Sequence, residues 1–163
     1  EPEPEPLAES DQLLPACAQD FLGEWQQVRI EHYGDYLRDV IGLSLILRKI
    51  AEAIPLSSTV VVEDGALHMR MACPGAKPVT EWMGMGEGEF HEPNQGLVYT
   101  VNARWEGGTF IAARKHKDVN GGREIVATRW IEPDGTLVTK QDWGGSQPYT
   151  QYCVRRRNSR TSK

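Results

Sequence analysis

The sequence predicts an all-β fold, a ten-stranded antiparallel up-and-down β-barrel with one helix–turn–helix between its first and second strands. Turn signals recur at regular intervals from about Ser58 onward, and the runs between them are rich in β-branched and aromatic residues. A single stretch, residues 32–56, has helical periodicity instead. The length of 163 residues fits one domain with a core of ordinary size.

The first strand is predicted within residues 21–32, where Trp25, Val28 and Ile30 belong to an extended run. Nine further strands follow, separated by turns in which Gly supplies positive φ, Pro fixes φ, and Asn and Asp tolerate the left-handed region. The turn signals are EDG (63–65), PGA (74–76), GEG (86–88), EPNQG (92–96), EGG (106–108), NGG (120–122), EPDG (132–135) and GGS (144–146).

The helical stretch divides into two short helices. Asp35 is expected to cap the first helix and Gly42 to end it. Ser44 is expected to cap the second helix, and Pro55 to stop it. The second helix carries an apolar stripe, while Arg48, Lys49 and Glu52 are expected to face water. The stripe consists of Ile46, Leu47, Ile50, Ala51 and Ile54.

These elements together predict a container with a lid. The interior of a barrel widens with strand number, and at about eight strands it is just filled or holds one small ligand. Ten strands leave a larger hollow, which should hold water, a ligand or both because an empty apolar hollow is costly. The two helices can cover one open end, so we expect function to lie in the lining of the cavity.

Three motifs carry a resemblance to a known family. They are the opening Phe-x-Gly-x-Trp (Phe21, Gly23, Trp25), the Arg48-Lys49 pair, and the Gly-x-x-Phe-type element around Glu89–Phe90. With these motifs, residues 20–157 resemble the intracellular lipid-binding protein family, the fatty-acid-binding and cellular retinoid-binding group of the calycins. The chain departs from the family pattern at Gln27, where a hydrophobic residue is usual, and at residues 33–36, where Phe-Asp-x-Tyr is usual.

The resemblance implies a non-enzymatic carrier of a fatty acid, a retinoid or a similar lipid. In that family two buried arginines and a tyrosine hold a fatty acid's carboxylate. By resemblance, Arg129 matches the first arginine, Gln151 stands in place of the second, and Cys153 stands in place of the tyrosine. Retinol-binding members carry glutamine at both arginine positions. The head group is therefore expected near Arg129 and Gln151.

The residue pattern gives Arg129 a physical interpretation of its own. Strand alternation puts it on one face with Ile125, Ala127 and Ile131, where an unpaired charge is costly. A ligand anion would supply a partner and gain charge-assisted hydrogen bonds. Alternatively, Arg129 faces solvent or pairs with an internal Glu or Asp. Gln151 can donate to a carbonyl or accept from a hydroxyl, or it can bind cavity water.

Further lining candidates lie on the lid and the third strand. On the first helix they are Tyr33, Tyr36, Leu37 and Val40, and on the second Leu47 and Ile50. On the third strand either Met69 and Met71 or His68 and Arg70 face inward, and periodicity leaves both possibilities open. Ordinary core packing is the alternative for each of these side chains. The resemblance also implies transient membrane contact through Arg48 and Lys49. The alternative interpretation is that these two residues form a solvated helix face.

The two ends of the chain have opposite charge, although the net charge is −5. We expect residues 1–19 to be a disordered acidic extension, since EPEPEP cannot bury apolar surface. Residues 20–157 are the predicted domain, and residues 158–163 are a basic tail. Three distant cysteines without a CxxC motif favour a reducing compartment, and so the cytoplasm, with secretion as the alternative.

Catalysis, cofactors and nucleic acid are not expected. The sequence contains no GxSxG motif, its four histidines lack metal-ligand spacing, and its arginine tail has no stacking aromatics beside it. We therefore expect no metal, no cofactor and a monomer that binds a small hydrophobic ligand. Two alternatives stay open, a pigment- or chromophore-binding barrel and an interaction scaffold that acts through its charged tails.

Overall fold

A computed structural model describes residues 14–72 and 77–156, and within them ten antiparallel strands form one sheet. This confirms the predicted fold class. The strands are β1 (Gly23–Glu31), β2 (Ser57–Glu63), β3 (Ala66–Ala72), β4 (Val79–Met83), β5 (Gly86–His91), β6 (Val98–Glu106), β7 (Thr109–Lys115), β8 (Ile125–Ile131), β9 (Leu137–Asp142) and β10 (Tyr149–Arg155).

The sheet closes almost completely on itself. Its order is β4-β3-β2-β1-β10-β9-β8-β7-β6-β5, so the first and last strands pair and the edges are β4 and β5. Burial alternates along most strands, as on β8, where Ile125, Ala127 and Arg129 are buried and the residues between them are partly exposed. One face of the sheet therefore lines the interior of a nearly closed barrel.

Several hairpin turns follow the glycine signals of the sequence. Between β2 and β3, Asp64 and Gly65 have φ values of 52° and 76°. Between β6 and β7, Gly107 and Gly108 have φ values of 54° and 88°. Two successive residues with positive φ match the twist of a tight β-hairpin, and glycine adopts that conformation without a steric penalty.

A short 3₁₀ helix, Ala16–Phe21, precedes β1 and covers one end of the barrel. Ala18 and Phe21 are buried there, and the Trp25 indole donates to the Phe21 carbonyl at 2.9 Å. The predicted boundary between extension and domain, at residues 19 and 20, falls inside this helix. Residues 1–13 and 157–163, and so most of the predicted extension and all of the predicted basic tail, lie outside the described residues.

The lid follows β1 at the opposite end of the barrel. Helix α1 (Tyr33–Tyr36) continues as a π-helical turn over Leu37–Ile41, and α2 spans Leu45–Ala53. Gly42, at φ 81°, ends the first helical segment, and the Ser44 hydroxyl accepts from the Leu47 amide, as predicted. The predicted Asp35 cap is wrong, because His32, in the left-handed conformation, precedes the helix and Asp35 lies in its first turn.

The orientation of α2 also differs from the prediction. Its apolar stripe was expected to face the barrel, yet Ile46 is 74% exposed and Leu47 and Ile50 are about half exposed. Helix α2 rests on α1 at Gly34, where an added Cβ would lie 2.4 Å from a Glu52 carboxylate oxygen. The partly buried residues of this segment are Arg48, Ala51 and Ile54, so only part of the stripe faces inward. No helix in the described ranges has the length and hydropathy needed to span a bilayer.

Buried apolar side chains concentrate at the two ends of the barrel. The closed-end core lies near the 3₁₀ helix and includes Phe21, Trp25, Met69, Phe110, Leu137 and Cys153. The lid-end cluster consists of Tyr36, Ile125, Trp143 and Tyr149. The Tyr36 ring contacts the Trp143 and Tyr149 rings, with centroids 5.5 and 4.8 Å apart, and so fixes α1 on the barrel rim.

Candidate functional site

A cavity of about 310 Å³ lies inside the barrel beneath α1. Residues of β4 to β8, of the connections between these strands and of the lid form its wall. Most of the wall is apolar and includes Val79, Trp82, Val101, Phe110, Ala112 and Ala127. The polar residues of the wall are Thr80, Glu81, Glu92, Gln95, Tyr99 and Arg114. An apolar cavity with a few convergent polar groups is the usual form of a small-molecule site.

Glu81 lies at the centre of a buried polar cluster. Its Oε1 accepts from the Gln141 amide at 2.9 Å and lies 3.2 Å from an Arg114 Nη. Its Oε2 accepts from Arg129 Nη2. Burial raises the pKa of Glu81, but the charges of Arg114 and Arg129 and the hydrogen bonds from Arg129 and Gln141 outweigh it and hold that pKa at about 2. The carboxylate is therefore ionised at neutral pH.

Arg114 connects this cluster to the lid. Its guanidinium donates to Gln141 Oε1 at 3.0 Å and to the Tyr36 hydroxyl at 3.5 Å. It lies on β7 and pairs in register with Ile125 of β8, which belongs to the lid-end cluster. Burial raises the pKa of Tyr36, so its hydroxyl keeps its proton and can donate as well as accept. This bond thus joins the lid to the polar cluster.

Arg129 is fully buried but does not belong to the cavity wall. On β8 it lies two residues beyond Ala127, the register partner of Gln141. Its own register partners are Phe110 of β7 and Thr139 of β9. Its Nη2 is occupied by Glu81, whereas its Nε and Nη1 have no hydrogen-bond partner among the described residues. Of the arrangements that the sequence left open, pairing with an internal Glu is the one that the structure contains.

Gln151 and Cys153 lie on the inner face of β10, and both are buried outside the cavity wall. The Gln151 amide donates to Gln27 Oε1 at 2.9 Å. Gln27 is itself a departure from the family pattern, so two unusual residues are partners. Cys153 packs in the closed-end core, where burial, only partly offset by Arg129, raises the pKa of its thiol to about 12.

The lid candidates divide into three pairs. Tyr36 and Val40 belong to the cavity wall. Leu37 is buried outside it, and the Tyr33 ring packs on Tyr149 with centroids 5.1 Å apart. Leu47 and Ile50 lie on the exposed side of α2, outside the cavity wall, and are wrong as lining candidates.

The remaining predicted residues lie on β3 and α2. On β3, Met69 is buried in the closed-end core and Met71 is partly buried, while Arg70 is exposed and pairs with Glu63. The methionine face is therefore the inner one. On α2, Lys49 is exposed but Arg48 is partly buried, contrary to the prediction that both face water.

The sequence prediction missed Glu81, Arg114 and Gln141. Strand alternation could have indicated Glu81, since it pairs in register with the buried Met69. Arg114 follows Phe110 and Ala112 at alternate positions of β7, so it shares their inward face. A charged residue on an otherwise apolar strand face is the signal that identifies such positions, because burying it requires a partner.

Comparison with known proteins places this geometry among lipid-binding barrels. "Fatty acid-binding protein homolog 6" of Caenorhabditis elegans is 32% identical over 124 residues, which cover 75% of this chain and 88% of the relative. The chain superposes on the structure of apo lipid binding protein 8 of C. elegans with a TM-score of 0.69, at 22% identity, over 85% of this chain and 96% of that one.

A second solved structure supports the same fold. Human cRBP IV superposes with a TM-score of 0.66, at 18% identity, over 87% of this chain and 100% of that one. A scan against models of protein families finds no match.

Proposed function

Since this chain belongs to the intracellular lipid-binding protein family, we propose that it is a non-enzymatic carrier of a small hydrophobic ligand such as a fatty acid, a retinoid or a similar lipid. The mostly apolar cavity of about 310 Å³ beneath the lid is the observation that carries this proposal. Each ligand methylene buried there contributes on the order of 0.8 kcal/mol, against ordering costs of several kcal/mol. Affinity then comes mainly from apolar burial.

We place the ligand's head group at the polar end of the cavity, near Arg129 and Gln151, as the family pattern implies. Both residues are buried on the inner face, and Thr139 lies between them in register. Arg129 acts on the cavity through Glu81, which it contacts directly. Gln151 lies on β10, which β9 separates from Arg129 on β8. Its side chain is hydrogen-bonded to Gln27.

Ala112 and Ala113 offer a matched test of cavity binding, because the first is in the cavity wall and the second is on the outer face of β7. A tryptophan at Ala112 would fill the cavity, whereas one at Ala113 would not. With Nile red, an uncharged dye that fluoresces in apolar surroundings, we expect wild type and Ala113→Trp to bind alike. Ala112→Trp should bind at least about tenfold more weakly, the effect of losing apolar contact in a filled site.

Circular dichroism checks that both variants fold. Equal dye binding by wild type, Ala112→Trp and Ala113→Trp would contradict a ligand site in the barrel. The dye is uncharged, so its uptake does not depend on the head-group proposal.

We further propose that the lid makes transient contact with membranes through Arg48 and Lys49. The exposed side of α2 supports this, since Lys49 lies beside exposed apolar residues such as Ile46. Each basic residue near an anionic surface contributes about 1 kcal/mol. Lys49→Glu should slow dye transfer to vesicles that contain phosphatidylserine. Lys140→Glu, at an exposed position of β9, is the control.

We propose a monomer in the cytoplasm. The thiols of Cys17 and Cys153 are free, which suits a reducing compartment. Analytical ultracentrifugation should give the mass of one chain, and a stable dimer would contradict the monomer.

A further inference from the structure

The charges around the cavity are already balanced by one another. In the described parts of the chain, the charged residues of the cavity wall are Glu81, Glu92 and Arg114. Arg129 lies directly behind Glu81 and is bonded to it. Two carboxylates and two guanidiniums therefore border the cavity in equal number, and Glu81 contacts both guanidiniums.

Glu81 is an ionised member of this set. Its two oxygens are shared among Arg114, Arg129 and Gln141, as described above. The positive charge of Arg129, which the family pattern assigns to a ligand carboxylate, is therefore compensated from within the protein.

Glu92 is the second carboxylate, and only 2% of its surface is exposed. It follows β5 and accepts from the Thr80 amide at the start of β4, so it bridges the two edge strands of the sheet. It also accepts from the backbone amides of Asn94 and Gln95, at 3.1 and 2.6 Å, and from the Asn94 side chain at 3.2 Å. Both oxygens of Glu92 therefore accept hydrogen bonds from N–H donors of the protein.

A ligand carboxylate would disturb this balance. It would bring a third negative charge into a low-dielectric space that has two positive ones, and an uncompensated buried charge is costly. An uncharged polar group avoids that cost. It also finds partners, because Arg114 can donate and the Tyr36 and Tyr99 hydroxyls in the same wall can donate or accept. Burial raises the pKa of Tyr99 as it does that of Tyr36, so both hydroxyls stay neutral.

Resting on the carrier function proposed above, we infer that the cavity prefers an uncharged lipid, one that ends in a hydroxyl, ester or similar neutral group, to the carboxylate with the same chain. Glu81 is the residue that sets this preference, because it neutralises the arginines. Arg114 and Tyr36 belong to the cavity wall and bond to each other beside Glu81, so they contact the neutral head group, whereas Arg129 acts on it through Glu81.

Three ligands with one chain length test the inference: 1-dodecanol, methyl dodecanoate and dodecanoate. Each is titrated against Nile red bound to the full chain at pH 7.4. We expect both neutral ligands to displace the dye at concentrations about tenfold or more below that of dodecanoate, because only dodecanoate adds a buried charge. The ester and the acid differ mainly in charge, so their comparison excludes chain length as the cause.

Glu81→Gln provides the second arm, because it removes one negative charge. We expect it to shift the ratio of acid to ester affinity about tenfold or more toward the acid, while the two neutral ligands keep their relative order. The exposed Glu89→Gln on β5 is the matched control and should leave the ratio unchanged. If Glu81→Gln does not fold, the ranking of the three ligands on wild type decides alone.

The outcomes separate the two proposals. If wild type takes up Nile red but binds dodecanoate as tightly as the ester and the alcohol, the inference about charge is overturned and the carrier function stands. If wild type takes up neither the dye nor any of the three ligands, the carrier function fails and the inference fails with it.

Discussion

Glu81 and Arg129 form an ion pair inside the barrel, joining the edge strand β4 to β8. The pair connects residues 48 positions apart in the chain, and it lies next to the cavity rather than in the closed-end core. It occupies the arginine for which the family resemblance predicts contact with a ligand carboxylate. Both the stability of the barrel and its ligand preference are expected to depend on it.

The stability of the fold should fall when the pair is broken. Removing one partner of a buried ion pair leaves an uncompensated charge and costs about 3–5 kcal/mol. We expect Glu81→Gln to lower the free energy of unfolding in urea by an amount in that range. The exposed Glu89→Gln should change it by less than about 0.5 kcal/mol. Equal effects of the two substitutions would show that the pair does not stabilise the barrel.

Stability should also depend on pH through Glu81. The pKa of this carboxyl is about 2 in the folded protein and 4.5 ordinarily, so the unfolded state takes up the proton first on acidification. The ionised Glu81 contributes about 3 kcal/mol to the free energy of unfolding. This contribution is fully present above pH 5 and is lost as the pH falls toward 2. Urea unfolding from pH 6 to pH 2.5 measures this loss. In a plot of the free energy of unfolding against pH, Glu81→Gln should remove the part of the slope that Glu81 causes. An unchanged slope in this variant would contradict the assignment of that part to Glu81.

Gln27 and Gln151 should be energetically coupled. Each side chain is the hydrogen-bond partner of the other, so replacing one leaves the other unpaired. Leucine at either position alone should cost about 1–3 kcal/mol, while the double variant should cost less than the sum of the two. A double-mutant cycle of urea unfolding measures the difference, which we expect to be about 1 kcal/mol. Strict additivity would mean that the bond contributes nothing.

Cys153 should be chemically protected in the native protein. It is buried in the closed-end core and its pKa is raised to about 12, so little thiolate is present at pH 8. Iodoacetamide should label the partly exposed Cys17 at least about tenfold faster than Cys153. In urea the two rates should converge. Peptide mass spectrometry reads each site, and rapid labelling of Cys153 in the native state would show that β10 opens readily.

Local signals predicted most of the fold. The ten strands follow from turn residues and short apolar runs, and Gly42 and Ser44 mark helix ends, because these preferences act within a few residues. The direction in which α2 faces did not follow from its sequence. Its stripe is a valid amphipathic pattern, but the partly buried positions are Arg48, Ala51 and Ile54, because packing against neighbouring elements sets the orientation of a helix.

The site was predictable only in part for a similar reason. Alternation on β8 is enough to turn Arg129 inward, and α1 brings Tyr36 over the cavity. The partners of these residues depend on strand register far along the chain. Gln27 and Gln151 are 124 positions apart, and Arg114 and Tyr36 are 78 apart. Single-sequence patterns contain no information at that distance.

Occupation of the barrel cavity by a lipid can be measured directly by native mass spectrometry. Wild type and Ala112→Trp are each saturated with 1-dodecanol and sprayed from a volatile buffer. We expect one dodecanol per wild-type chain, released when the protein is denatured, and none on Ala112→Trp, in which the new side chain fills the cavity. Wild type that never retains the alcohol, or an Ala112→Trp variant that retains it equally well, would contradict occupation of the cavity.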